Sequence, residues 1–118
     1  MIKRLSTLCA LMLVLSACAN DPVPTEQMRL TGQTLEQVQT LGVQADSSPL
    51  LKLAQAKYEK AQVHLAEGDN KQARFLAEQA ELDTRLAEAR HLSLKSQEQL
   101  DALNQRITRL RKQLGAVQ

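Results

Sequence analysis

A stretch of 45 residues, from Asn70 to the residue before Gly115, contains neither glycine nor proline. These two residue types are the ones that most often end or kink a helix. Their absence predicts one uninterrupted helix over residues 70–114, which at 1.5 Å per residue is about 67 Å long. A helix of that length must extend beyond whatever the rest of this 118-residue chain can pack against it.

Two apolar stripes run along this predicted helix at helical spacing. The first consists of the small residues Ala73, Ala77, Ala80, Thr84 and Ala87. The second consists of Phe75, Leu82, Leu86 and Ala89, and keeps its phase through Ser93, Ser96, Leu100, Leu103, Ile107, Leu110 and Leu114. Small side chains let another helix approach closely, whereas alternating steps of three and four residues are typical of coiled coils. We expect the first stripe to pack inside the fold and the end of the second to extend beyond it.

Start and stop signals predict a second helix over residues 49–67. Ser48 can cap it, Pro49 suits its first position, and Gly68 supplies a left-handed stop. Its apolar face consists of Leu51, Ala54, Tyr58, Ala61 and Leu65. Asp69, with Gln72 three residues later, has the pattern of a capping box for the next helix. Because the turn between them is short, the second and third helices should form an antiparallel, alanine-rich hairpin.

A weaker first helix is predicted over residues 25–41, with Thr25 as its cap. Its stripe consists of Met28, Thr31, Leu35 and Val38. Several glutamines and threonines weaken the pattern, so the sequence leaves open whether this helix packs on the hairpin. The predicted fold is all-α: an antiparallel alanine-rich hairpin, a weaker first helix, and a long C-terminal helix that extends as a coiled coil. Residues 25–114 form the helical domain, and residues 115–118 follow it.

The first 17 residues have the composition of a lipoprotein signal. Lys3 and Arg4 precede an apolar stretch, and the small residues Ser16 and Ala17 come directly before Cys18. The apolar stretch is too short to span a bilayer, which takes about 20 residues. We therefore expect cleavage before Cys18, fatty acids such as palmitate on that cysteine, and a lipidated linker over residues 18–24.

Two other fates of this segment stay open. Ala17-Cys18-Ala19 also suits ordinary signal peptidase, which would release a soluble periplasmic protein, and an uncleaved anchor is the remaining alternative. Lipoproteins that this chain resembles often carry an aspartate after the cysteine when they stay in the inner membrane. Ala19 stands there, which favours the outer membrane of a Gram-negative bacterium, with the chain facing the periplasm.

Loss of the signal also changes the composition. The whole chain has 15 basic and 13 acidic residues, and without Lys3 and Arg4 it has 13 of each. A neutral chain gives no support for binding nucleic acid. Cys9 leaves with the signal and Cys18 is acylated, so no thiol remains for a disulfide, a metal or a nucleophile. The only aromatic residues are one tyrosine and one phenylalanine, which argues against an aromatic-lined ligand pocket.

The polar residues form no pattern typical of an active site. His64 and His91 fall on different predicted helices near opposite ends of the hairpin, so a shared metal site is not expected. Glu81 and Arg85 have the spacing of an exposed ion pair. Asp83 falls where the third helix meets the second, and a contact with Lys52 or Lys57 would account for it. We expect no catalytic residue, no metal and no cofactor; an enzyme that uses a histidine or an acid remains the alternative.

The residues with the strongest indication of binding are the five large apolar residues beyond the hairpin: Leu100, Leu103, Ile107, Leu110 and Leu114. A solvent-exposed helix with such a stripe gains little from helix propensity alone, so we expect self-association or a partner helix from another envelope protein. A frayed end, or a fold back onto the hairpin, is the alternative. Four cations follow the last acid, namely Arg106, Arg109, Arg111 and Lys112. They either offset the dipole at the helix C-terminus or contact anionic lipid or an acidic partner.

Residues 51–90 resemble the bacterial lipoprotein family known as domain of unknown function 4398. The resemblance covers roughly residues 26–93 and lies in the A-x-x-x-L-A-x-G-D turn at 61–69 and the A-R-x-x-A-x-x-A run at 73–80. It implies an outer-membrane lipoprotein and supplies no catalytic residues. Some members carry a peptidoglycan-binding domain, but no motif in this chain supports a contact with peptidoglycan. The predicted function is a structural or adaptor element of the envelope; the alternative is a small periplasmic chaperone or a regulator of an envelope enzyme or secretion machine.

Overall fold

The computed structural model describes residues 21–116, which form three α-helices and no strand. Helix α1 is Thr25–Thr40, α2 is Pro49–Ala66 and α3 is Asn70–Gly115. The all-α fold with a long C-terminal helix is therefore confirmed, and the helix ends differ from the expected ones by at most one residue. The predicted signal, Cys18 and the last two residues lie outside the described residues.

Local capping explains where α2 and α3 begin. The Ser48 hydroxyl accepts a bond from the Leu51 N–H at 3.3 Å, and the Asp69 carboxylate accepts one from the Gln72 N–H at 3.1 Å. The reciprocal half of the expected capping box is not formed, because the Asp69 N–H donates to the His64 carbonyl instead, at 2.9 Å. The prediction for Thr25 is wrong: the cap position of α1 is Pro24, which has no side-chain group that can cap.

The ends of α1 and α2 share one motif. Gly42 and Gly68 both have positive φ, at 90° and 81°, a conformation that only glycine adopts without strain. The N–H groups of each glycine and of the residue after it bond back to carbonyls of the last helical turn. After α1, the residue that follows the glycine is Val43, which is buried in one cluster with Val38. Both helices therefore end at a left-handed glycine, and the chain reverses there.

Helices α2 and α3 form the expected antiparallel hairpin along the small-residue stripe of α3. Every member of that stripe is buried, with at most 2% of its surface exposed: Ala73, Ala77, Ala80, Thr84 and Ala87. Ala61 packs in one cluster with Ala77 near the turn, and Leu51 packs with Ala87 at the other end. Lys57 Nζ and Asp83 Oδ2 lie 2.6 Å apart, so the acid on this face is paired as expected.

Helix α1 completes a three-helix bundle, a point that the sequence left open. Its four stripe residues, Met28, Thr31, Leu35 and Val38, are the buried ones. The Thr31 hydroxyl oxygen lies 2.9 Å from the Gln27 carbonyl oxygen and 3.1 Å from that of Ala77, so its one proton is shared between them, and the Tyr58 hydroxyl donates to the Met28 carbonyl at 3.1 Å. These contacts join α1 to both other helices. Thr31, the polar residue of its stripe, is buried but has hydrogen-bond partners.

Gly32 sits where α1 passes Tyr58. A Cβ built on Gly32 would lie 2.9 Å from the Tyr58 hydroxyl, which is too close for an unstrained contact. Alanine gains about 1 kcal/mol over glycine inside a helix, but here it would displace the hydroxyl from its bond to Met28, at a cost of about 1 kcal/mol.

We therefore expect Gly32→Ala to be nearly neutral in the parent chain and to stabilise a Tyr58→Phe chain by about 1 kcal/mol. Urea unfolding of the four chains of this double-mutant cycle measures the coupling. If Gly32→Ala changed the unfolding free energy equally in the parent chain and in the Tyr58→Phe chain, the Tyr58 hydroxyl would not oppose the alanine side chain.

Helix α3 continues well past the bundle. From Leu92 to Ala116 every residue is exposed, whereas the stretch before it alternates between buried and exposed positions. None of the helices within residues 21–116 combines the length and apolar character needed to cross a membrane. About half of α3 therefore projects from the bundle as a single helix.

Candidate interaction surface

One exposed face of α3 carries a repeat of three and four residues over most of its length. We call this face the seam. It consists of Phe75, Leu82, Leu86, Ala89, Ser93, Ser96, Leu100, Leu103, Ile107, Leu110 and Leu114. All of these residues are exposed, and their spacing is that of one side of a coiled coil.

The second half of the seam lies on the projecting part of α3, which we call the coil (residues 96–114). Its five large residues, predicted as the contact surface, are 39% to 72% exposed. Neither α1 nor α2 covers them, and the described part of the chain does not fold back onto them. The structure thus places Leu100, Leu103, Ile107, Leu110 and Leu114 together on one free face.

The first half of the seam lies on the outer side of the bundle, within what we call the hairpin segment (residues 75–88). Phe75, Leu82 and Leu86 are 51% to 67% exposed there. The spacing of the stripe was visible in the sequence, but its exposure was not, because that depends on which sides of α3 the other two helices occupy. Since α1 and α2 both pack against other faces of α3, the seam stays open from Phe75 to Leu114.

The charges beside the seam differ between its two halves. The coil carries Arg106, Arg109, Arg111 and Lys112 after its last acid, Asp101, and all four cations are exposed. The hairpin segment carries four acids against one arginine: Glu78, Glu81, Asp83, Glu88 and Arg85. The seam therefore joins an acidic half to a basic half.

Glu81 is held as a carboxylate by its neighbours. Gln27 Nε2 donates to Glu81 Oε2 at 2.8 Å, and Arg85 donates to Glu81 Oε1 at 2.6 Å, which confirms the expected Glu81–Arg85 pair. The amide of Gln27, and then the Arg85 guanidinium, lower the pKa of Glu81 below its ordinary value, although partial burial opposes them. The hairpin segment therefore keeps this negative charge at neutral pH.

The two histidines lie at opposite ends of the bundle, as their spacing indicates. His64 Nδ1 is 3.7 Å from Glu67 Oε2 and 3.6 Å from Asp69 Oδ2, beside the turn between α2 and α3. His91 lines a small open cleft of about 220 Å³ next to Pro49 and Leu94. This cleft is smaller than most ligand pockets, which measure about 300–1,000 Å³. Within residues 21–116 no group of three or more acidic, histidine or cysteine side chains has the geometry to hold a metal.

Comparison with known proteins agrees with this architecture. The chain is similar to a DUF4398 family protein from Pseudomonas aeruginosa PAO1 whose crystal structure is solved: the two are 52% identical and superpose with a TM-score of 0.78. That similarity covers 82% of this chain and 100% of the other. No curated protein matches the chain. The family model described as domain of unknown function DUF4398 matches residues 26–103, which include all of the bundle but its first residue, and the first part of the coil. The chain therefore belongs to the DUF4398 family.

Proposed function

We propose that this protein is a lipid-anchored element of the outer membrane that faces the periplasm and acts as a structural part or adaptor through helix–helix contacts along the seam. Binding, and not catalysis, is its role in this proposal. The observation that carries the proposal is the seam, a coiled-coil face that leaves the bundle and stays uncovered over the whole coil. The signal pattern before Cys18 supports the anchor and the location.

The apolar content of the coil indicates what kind of partner it needs. Fully burying a leucine or isoleucine contributes about 1.5–3 kcal/mol, so covering the exposed half of five such residues contributes about 5 kcal/mol. Association itself costs about 4–15 kcal/mol. A stable contact therefore requires a partner that buries apolar residues of its own, as the second helix of a coiled coil does.

The path of the linker separates the proposed anchor from the coil. Asn70 Nδ2 donates to the Asp21 carbonyl at 2.9 Å, and Arg74 donates to the Pro22 carbonyl at 3.0 Å. The linker thus reaches the bundle at the start of α3, beside the turn. The end of the coil is about 67 Å further along the same helix. An anchor at Cys18 would therefore hold one end of the rod at the membrane and leave the coil at the other end.

The anchor is tested by labelling cells with a fatty-acid analogue. We expect the parent chain to incorporate the label and to sediment with the outer membrane, and a Cys18→Ala chain to lose the label. Cys9→Ala is the matched control, since it removes the other thiol within the signal and should keep the label on Cys18. A parent chain without label, or a Cys18→Ala chain that keeps it, would contradict the proposed anchor.

A further inference from the structure

Both halves of the seam expose large apolar side chains that a binding partner would bury. Phe75, Leu82 and Leu86 of the hairpin segment are at least half exposed, as are most of the large residues of the coil. Between the large apolar residues of the two halves, the seam positions are the small residues Ala89, Ser93 and Ser96. A partner that covered the coil alone would leave the first half of the seam in water, so the occupant should match the seam over its full length.

We propose that the seam is covered by a second copy of this chain in antiparallel orientation, so that each coil lies on the hairpin segment of the other copy. This inference rests on the proposed function, in which the seam is the contact surface, and identifies the partner.

The spacing of the seam fits this arrangement. Counted forward from Phe75 and backward from Leu114, and with Gln79 included, the seam positions follow the same intervals of four and three residues. Phe75 of one copy then faces Leu114 of the other, Leu82 faces Ile107, and Leu86 faces Leu103. Ser93 faces Ser96 at the centre, where small side chains let the helices come close. Gln79, which has the same phase as the seam, faces Leu110 and is the polar exception.

Charge selects the antiparallel arrangement over a parallel one. Apolar residues would also meet in a parallel pair in register. In that pair, however, the four cations of one coil would lie beside the same four cations of the second copy, and the acids of the two hairpin segments would likewise lie beside each other. The seam-flanking pairs of that arrangement all join like charges: Glu78 with Asp83, Arg85 with Arg90, and Arg106 with Arg111.

In the antiparallel pair, the basic coil lies along the acidic hairpin segment instead. Arg111 comes beside Asp83 of the second copy, whose carboxylate also contacts Lys57 of its own chain at 2.6 Å and can accept from both cations. Arg85, the one cation of the hairpin segment, already pairs with Glu81 at 2.6 Å, so its charge is offset within its own chain. The contact of Asp83 with Arg111 thus occurs twice in the antiparallel pair and joins opposite charges, unlike the charged pairs of the parallel arrangement.

The arrangement also fixes where the two linkers leave. Each bundle turn lies about 37 Å from the centre of the pair, so the two turns are about 75 Å apart at opposite ends of the rod. Two lipid anchors in one membrane are compatible with this only if the rod lies along the membrane surface.

Photocrosslinking in cells tests the inference on the full-length protein. Leu103, an exposed residue, is replaced by p-benzoyl-phenylalanine, and the crosslinked peptides are identified by mass spectrometry. We expect crosslinks to the segment around Leu86. Residues 86 and 103 of one α3 are about 25 Å apart, which is beyond the reach of the probe, so such a crosslink must join two copies.

The other outcomes separate this inference from the proposed function. Crosslinks around Leu103 of a second copy would indicate a parallel pair and overturn the inference. Crosslinks only to a different envelope protein would also overturn it but leave the proposed adaptor function intact. No crosslink from Leu103, and none from a second probe at Ile107, would contradict both.

A charge reversal gives an independent test through the sign of its effect. We expect Arg111→Glu to weaken the dimer about tenfold, because it places an acid beside Asp83 of the second copy. In a parallel pair the same change would strengthen association, since residue 111 would then face Arg106. Lys112→Glu, with the same change of charge on the face opposite the seam, is the matched control. Sedimentation equilibrium of the full chain in detergent measures the dissociation constants; a stronger dimer for Arg111→Glu overturns the inference.

Discussion

A chain that carries Leu103→Asp and Ile107→Asp is expected to sediment as a monomer at concentrations at which the parent chain associates. Both residues lie in the seam and are 53% and 39% exposed, so the isolated chain tolerates a charge at these positions. In an associated seam, the same two carboxylates would lose water without gaining a partner, at a cost of several kcal/mol. The bundle should keep its melting temperature, because neither residue contacts α1 or α2.

The matched control is Ala102→Asp with Gln105→Asp, which adds the same charge to exposed positions of the coil outside the seam. This chain should associate nearly as well as the parent. If the seam variant still associated, or if both variants dissociated equally, the seam would not be the contact surface. Circular dichroism at low concentration checks that both variants keep the helical bundle.

Leu51→Ala is expected to lower the free energy of unfolding by about 2–5 kcal/mol. Leu51 is fully buried and is the largest such side chain in the described part of the protein. It packs in one cluster with Leu35 and Val38 of α1 and with Ala87 of α3. Removing most of this side chain leaves a cavity. The surrounding residues are small or are held in place by packing in three different helices, so they cannot easily move in to fill it.

Urea unfolding monitored by circular dichroism measures this loss, and Leu53→Ala is its control. Leu53 lies on the same helix two residues later and is about half exposed. The control should lose less than 1 kcal/mol, because most surface substitutions change stability by about 0.5 kcal/mol or less. Equal losses from the two variants would show that the α1–α2–α3 cluster is not the core of the bundle.

The parts of the fold that the sequence predicted well depend on local chemistry. Ser48 and Asp69 cap helices with side chains that lie three residues from the N–H groups they bind, and Gly68 reverses the chain by its own backbone freedom. The buried stripe of α3 was equally visible, since five small residues at helical spacing form one face whatever lies opposite. Local signals of this kind need no knowledge of the tertiary structure.

The packing of α1 and the openness of the seam depend on contacts between distant residues. Thr31 weakens the apolar stripe of α1 in the sequence, yet its hydroxyl is satisfied by the carbonyl of Ala77, 46 positions away. Similarly, Phe75 and Leu82 have the spacing of residues that pack in a core, and only the positions of α1 and α2 leave them exposed. The anchor at Cys18 stays a prediction, because that residue lies outside the described part of the chain.

Hydrogen exchange of the backbone amides of residues 96–114 tests most directly whether the seam is a contact surface. A single projecting helix opens readily, whereas a helix within a coiled coil is protected by its partner. In the full-length protein we expect the exchange of these amides to slow as the protein concentration rises, and to slow more than exchange in α1 and α2, which lie outside the seam. Fast exchange at every concentration would contradict a contact between copies of this chain. Protection that did not change with concentration, in a protein that sediments as a monomer, would show that the coil is covered within its own chain.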